Sequence, residues 1–151
     1  MPSIVPSYLY TFFALTLIGT ILIGTFSSFA LSLKQIPEEK QLKNIIDYVA
    51  ARSIELINCI STSNKNASLE AVLNLPARIN HKHYWLRLDE SSDHAFMEAG
   101  FGSNPTQAYF KVYLPANVSV SGEIISGYGK ALLICRKTAS GIYLNLGYLE
   151  G

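Results

Sequence analysis

Residues 8–33, YLYTFFALTLIGTILIGTFSSFALSL, contain no Lys, Arg, Asp, Glu or His. All 12 basic and all 11 acidic side chains of the 151-residue chain lie after Leu33. Such a block admits few folds. A helix needs about 20 apolar residues to cross a bilayer, and this run is long enough to span with tilt. A buried helix of a small soluble domain is rarely apolar on every side. A cleaved secretion signal is the rival reading, because Ser28-Phe29-Ala30 has the small-x-small form of a cleavage site. Against it stand a start, MPSIVPS, with no basic side chain and an apolar run beyond the usual h-region of about 7–15 residues. The expectation is a retained span.

One face of the run has a pattern. Thr16, Thr20, Gly24, Ser28 and Ser32 recur every four residues. Small residues at that spacing let a second helix approach closely in lipid, where packing drives association. The expected partners are membrane lipid and, through this stripe, other helices; the equal alternative for the stripe is that Gly, Ser and Thr are simply frequent in spans.

Beyond the run, PEEKQLKNIIDYVAARSIELINCI (Pro37–Ile60) changes character. Pro37 followed by Glu38 and Glu39 reads as a helix start, with acids at the positive end of the dipole, and Pro37 either kinks a continuous helix or separates two helices. Leu42, Ile45, Ile46 and Val49, continuing to Ile57 and Ile60, fall at helical spacing on one face. This half needs a surface to lie against, and the C-terminal part is the one available.

A polar break, STSNKNAS (Ser61–Ser68), precedes short apolar-alternating runs separated by turn formers. Strands are expected at 69–75, 84–88, 108–114, 118–125, 131–136 and 142–149, with a weak one at 96–99. The fold class is then α+β: a long hydrophobic-then-amphipathic helix, followed by a small antiparallel sheet or β-sandwich head. The expected divisions are a span at 1–34, an amphipathic helix at 35–60 and a β-rich head at 61–151.

This order resembles the type IV pilin superfamily, particularly archaeal pilin-like proteins and accessory proteins of the archaeal flagellum. The stretch LNLPARINHKHYWLRLDE (Leu73–Glu90) is similar to a strand-turn-strand passage of archaeal pilin-like proteins. The resemblance implies a structural, non-enzymatic protein that joins a cell-surface filament or adhesive assembly through its first helix, self-associating or binding other pilin-like subunits. It also implies a head outside the cytoplasm. No Lys or Arg precedes Tyr8 and the first acid is Glu38, so the expectation is an anchored relative and not a major filament subunit. Lys34, Lys40 and Lys43 follow the run and by the positive-inside rule favour the opposite orientation. The sequons at Asn66 and Asn117 favour export and mark candidate glycosylation sites. The alternative function is a single-pass anchored module that binds a ligand or the cell envelope, without a filament.

Chemistry is thinly marked. A net charge of +1 with scattered cations gives no footprint for nucleic acid. Cys59 and Cys135 are a candidate disulfide stapling helix to head, with buried free thiols as the equal alternative. His81 and His83, with His94 or Asp89, lack a placed fourth ligand, so no metal site is expected. Asp89, Glu90 and Asp93 read as a solvated acidic loop without the ligand spacing of a calcium loop. No nucleophile elbow and no phosphate loop occurs, so no catalytic residue and no cofactor is assigned. Tyr8 and Tyr10 suit an interfacial belt. Tyr109, Tyr113, Tyr143 and Tyr148 read as sheet partners.

Overall fold

A hydrophobic stripe on a helix and alternating strands must cover one another, and residues 38–149 do so. The computed structural model describes residues 4–63, 66–92 and 94–149, and among these the side chains of 4–7 and 29–36 lie outside the description. Helix α1 runs from Ile4 to Ser61, with Pro37 inside it. Of the two readings of Pro37 the continuous helix is the one found, and no new helix starts there: a proline removes only one i→i−4 bond, and a long helix tolerates that. The chain divides into two compact units, 1–37 and 38–151.

The first unit holds a 21-residue segment, Tyr8–Ser28, long and apolar enough to cross a membrane. None of that segment is buried. Phe12, Phe13, Leu15, Leu17 and Ile18, which point to every side of the helix, all stand exposed.

In the second unit, the rest of α1 precedes eight strands. They are β1 (Ala67–Leu73), β2 (Tyr84–Ser91), β3 (His94–Phe101), β4 (Phe110–Tyr113), β5 (Val118–Ser121), β6 (Glu123–Ile125), β7 (Ala131–Thr138) and β8 (Gly141–Tyr148). Two four-stranded sheets form, ordered β1-β7-β8-β5 and β4-β3-β2-β6. The β5–β8 pair is parallel, which corrects the wholly antiparallel expectation; every other pair is antiparallel. The architecture is α+β with a sandwich-like head.

Alternation decides which residues form the core. Leu86 faces Ala99 and Ile124 across the second sheet. Leu133 faces Ala71 and Leu146 across the first. These inward rows share one cluster with Leu42, Ile46, Val49, Ile57 and Ile60 of α1. Full burial of one such aliphatic side chain contributes about 1.5–3 kcal/mol, so the stripe on α1 fastens helix to sheets.

The weak strand at 96–99 is in fact the eight-residue β3. Its small inward Ala95 and Ala99 diluted the hydrophobic signal, yet both are buried. Asp89 and Glu90 lie within β2, so the expected acidic loop contracts to the turn after Ser91; Asp93 is outside the described residues. His81 and His83 precede β2 and do not begin it. Trp85 points outward from the second sheet yet is 1% exposed. It lies flat over Gly100, its cross-strand partner, where an added Cβ would meet the indole ring at 2.6 Å and the Gln107 carbonyl at 2.5 Å.

The expected strand at 118–125 is divided at Gly122. Its first part pairs with β8 and its second with β2, so one extended segment passes from sheet to sheet. Gly122 has φ +106, and its carbonyl accepts from the Leu88 amide. A Cβ there would sit 2.0 Å from the Leu146 carbonyl oxygen. Both the positive φ and the close approach call for glycine. Gly122→Ala should destabilise the head by at least about 2 kcal/mol, read in urea unfolding followed by fluorescence of Trp85, the single tryptophan.

Candidate functional site

The small-residue stripe is the first candidate surface. Thr16 Oγ1 donates to the Phe12 carbonyl at 2.8 Å, Thr20 Oγ1 to the Thr16 carbonyl at 2.9 Å, and Ser28 Oγ to the Gly24 carbonyl at 3.1 Å. Each hydroxyl is thus satisfied within its own helix, which lets the face enter an apolar medium. Nothing lies within 4 Å of the position a Cβ would take on Gly24. The Ser32 side chain lies outside the described residues.

The second is the junction of α1 with the head. Leu42, Ile46 and Val49 are fully buried and Ile45 nearly so. Glu38 precedes them on the same stripe and is itself buried, at 7% exposure. It is not a dipole-end acid as its sequence context suggested, because α1 continues through it. Its Oε1 accepts from Asn80 Nδ2 at 2.6 Å and its Oε2 from Lys82 Nζ at 2.6 Å. The receiving turn is tight: Ile79 and Lys82 exchange backbone bonds, and Asn80 and His81 both have positive φ, the backbone of a two-residue hairpin loop. The hydrogen bonds from Lys82 and then Asn80 hold the Glu38 carboxyl below its ordinary range. At the other end of α1, Lys137 Nζ donates to the carbonyls of Ser61 at 3.0 Å and Ser63 at 2.5 Å. A cation on the last carbonyls of a helix satisfies orphan acceptors and complements the dipole. Sequence reasoning missed both fastenings. An acid at the i−4 position of an apolar stripe was the available signal for the first.

The outward face of the second sheet carries a charge row. Glu123, Arg87, Glu98 and Lys111 stand in register across β6, β2, β3 and β4. Arg87 binds Glu98 at 2.9 Å, and Lys111 lies 3.8 Å from Glu98 and 3.4 Å above the Phe96 ring. Glu98 raises the Arg87 pKa further above its ordinary value.

On the first sheet, outward residues of β7 and β8 frame an open cleft of about 560 Å³, lined by Ile134, Arg136, Thr138, Ser140, Tyr143 and Asn145. Thr138, Ser140 and Tyr143 hydroxyls form a chain at 2.8 and 3.1 Å. Asn145 Nδ2 donates to Ser121 Oγ at 3.0 Å. These groups suit hydrogen bonding of a polar ligand and supply no nucleophile–base pair.

Among the described residues no three His, Cys, Asp or Glu side chains come together as metal ligands. His83 Nδ1 lies 2.7 Å from the Ser126 carbonyl, and His94 stands edge-on to Tyr113. Asn66 and Asn117 are both exposed, as acceptors of a glycan must be. The candidate staple between Cys59 and Cys135 is not made, and both thiols are free. Cys59 is on the solvent side of α1, next to the buried Ile60, while Cys135 faces the core from β7. Burial raises the Cys135 thiol pKa.

Two measurements follow. Native protein should titrate one thiol rapidly, Cys59, and a second only on unfolding; a disulfide would yield neither. The Glu38 value is lower folded than unfolded, so its contribution to stability is complete above the ordinary glutamate range and is lost as pH falls through the lowered value. Glu38→Gln should therefore be less stable than wild type at neutral pH and show a shallower loss on acidification, in parallel unfolding series read by Trp85 fluorescence.

In comparison with known proteins, no family model, no curated protein and no solved structure matches this chain.

Proposed function

We propose that the chain is a single-pass, membrane-anchored structural protein of the type IV pilin-like kind, with its head outside the cytoplasm. The observation that carries this reading is one helix with two solvation patterns. Tyr8–Ser28 is apolar and exposed all round, whereas Leu42–Ile60 is apolar on the single face that the head covers. An exposed apolar surface of that extent is not left in water; lipid and other helices are the media that accept it. The stripe of Thr16, Thr20, Gly24 and Ser28, with its hydroxyls satisfied internally, supports packing against further helices of the same or related subunits. Two exposed sequons support export.

A second reading is an anchored module that binds a ligand or an envelope polymer with no filament role. The cleft around Arg136 and Tyr143 favours it, since Arg136 has no ion pair among the described residues.

Fractionation of cells producing C-terminally tagged protein, followed by protease treatment of intact cells, tests anchor and orientation together. The expected outcome is a membrane-bound tag that external protease removes. A soluble, shortened head would make the opening segment a cleaved signal. Gly24→Leu separates the two readings: it should weaken self-association in detergent by roughly threefold to twentyfold if the stripe assembles helices, and leave it unchanged if the helix only anchors.

A further inference from the structure

The head presents a cationic and aromatic surface around the point where α1 enters it. Glu38 opens the second unit and draws in the turn of Asn80 and Lys82 through its two hydrogen bonds. His83 follows, with Nδ1 2.7 Å from the Ser126 carbonyl and its ring 6.2 Å from that of Tyr128. These contacts bring the 78–83 and 126–130 turns to one end of the head. Tyr128, at the tip of the second turn, is 71% exposed. Lys82 lies 5.8 Å over Phe101, whose ring in turn meets the exposed Tyr109 edge-on. Lys82 is matched by Glu38, and the exposed Glu39 and Lys40 offset one another. Arg78 and Lys130 enter no ion pair among the described residues.

We propose that this end of the head, with Arg78 and Lys130 on the two turns that carry His83 and the exposed Tyr128, docks on an anionic membrane surface. Cations with tyrosine are the side chains that the headgroup region accepts. The cations are too few for a polyphosphate backbone. The proposal rests on the anchor reading, which supplies the proximity. Nine residues lie between Ser28 and Glu38, and even fully extended this stretch spans only about 35 Å. Attraction too weak to recruit a free protein suffices at such effective concentration. The opposite end of the head has the complementary character. Asp89 and Glu90 lie at the far end of β2 from Tyr84, and a polar cleft there joins Glu90, Ser92 and Asn117. Asn66 opens β1 beside Lys137, which binds the C-terminal end of α1. Both sequons are thus remote from Glu38, and the proposed docking face stays free of glycan.

The test uses full-length protein in lipid nanodiscs of phosphatidylcholine alone or mixed with phosphatidylglycerol. Hydrogen exchange is read at 78–83 and 126–130, with the turns at 91–92 and 116–117 as internal reference. Exchange at the first two segments should be at least about threefold slower in the anionic discs, with the reference unchanged. Added salt should remove the difference. Arg78→Glu/Lys130→Glu should also abolish it, and Arg78→Gln/Lys130→Gln should reduce it. Equal exchange in both lipids overturns the proposal, as does a difference that survives the double charge reversal. A chain that does not enter the discs overturns the anchor reading instead, and the proposal with it.

Discussion

The apolar stripe of Leu42, Ile46, Val49, Ile57 and Ile60 is the constraint that organises the second unit. A helix in water cannot leave such a face open, and a flat sheet of short strands cannot cover it from two sides. The solution is a pair of sheets joined through Gly122, where one strand leaves β8 and continues along β2. Tyr148 reinforces that joint. Its hydroxyl accepts from the Ile125 amide and donates to the Ile125 carbonyl, tying the end of β8 to β6. The inward rows of both sheets then meet the helix in one cluster. Glu38 and Lys137 act on this arrangement from its two ends, fixing the register of the helix along the sheets more than they add to its hydrophobic stabilisation.

Much of this was legible in the sequence because it depended on periodicity. The apolar block, the one-faced stripe and most strands follow from spacing alone. Legibility failed where a single residue answers to a distant one. Gly122 reads as a neutral residue inside an alternating run until the Leu146 carbonyl is brought against it. β3 is masked by the small residues Ala95, Ala99 and Gly100, and at Gly100 the smallness answers to a neighbour, because it leaves the space that the Trp85 ring fills. Glu38 resembled an ordinary first-turn acid because its partners lie more than forty residues away, in a turn whose conformation local propensity does not announce. Cys59 and Cys135 were plausible partners by compartment, and the faces on which they stand keep them apart.

The candidate surfaces were legible to different degrees for the same reason. The stripe through Thr16, Thr20, Gly24 and Ser28 is local, so spacing sufficed to find it, and the internal hydrogen bonds of its hydroxyls are a property of the helix itself. The cleft beside Arg136 depends on the register of β7 against β8, which places Arg136 opposite Tyr143. No sequence pattern distinguishes those outward residues from an ordinary solvated face.

The disposition of polar side chains bears on what kind of function the head supports. Catalysis needs ionisable groups held near a reacting atom with their hydrogen-bonding capacity directed at it. Here the well-held ionisable groups face one another. Glu38 is matched by Lys82, Glu98 by Arg87, and Lys137 by the end of α1. Tyr84, buried on β2, donates to the Pro76 carbonyl, and its burial raises its pKa beyond the ordinary tyrosine range. Each contact closes a seam of the fold. Among the described residues Arg78, Lys130 and Arg136 enter no ion pair, and they stand on exposed surface, on turns and an outward strand face. Internal ion pairs close the seams of the fold, and the unmatched charge among the described residues is left at its periphery.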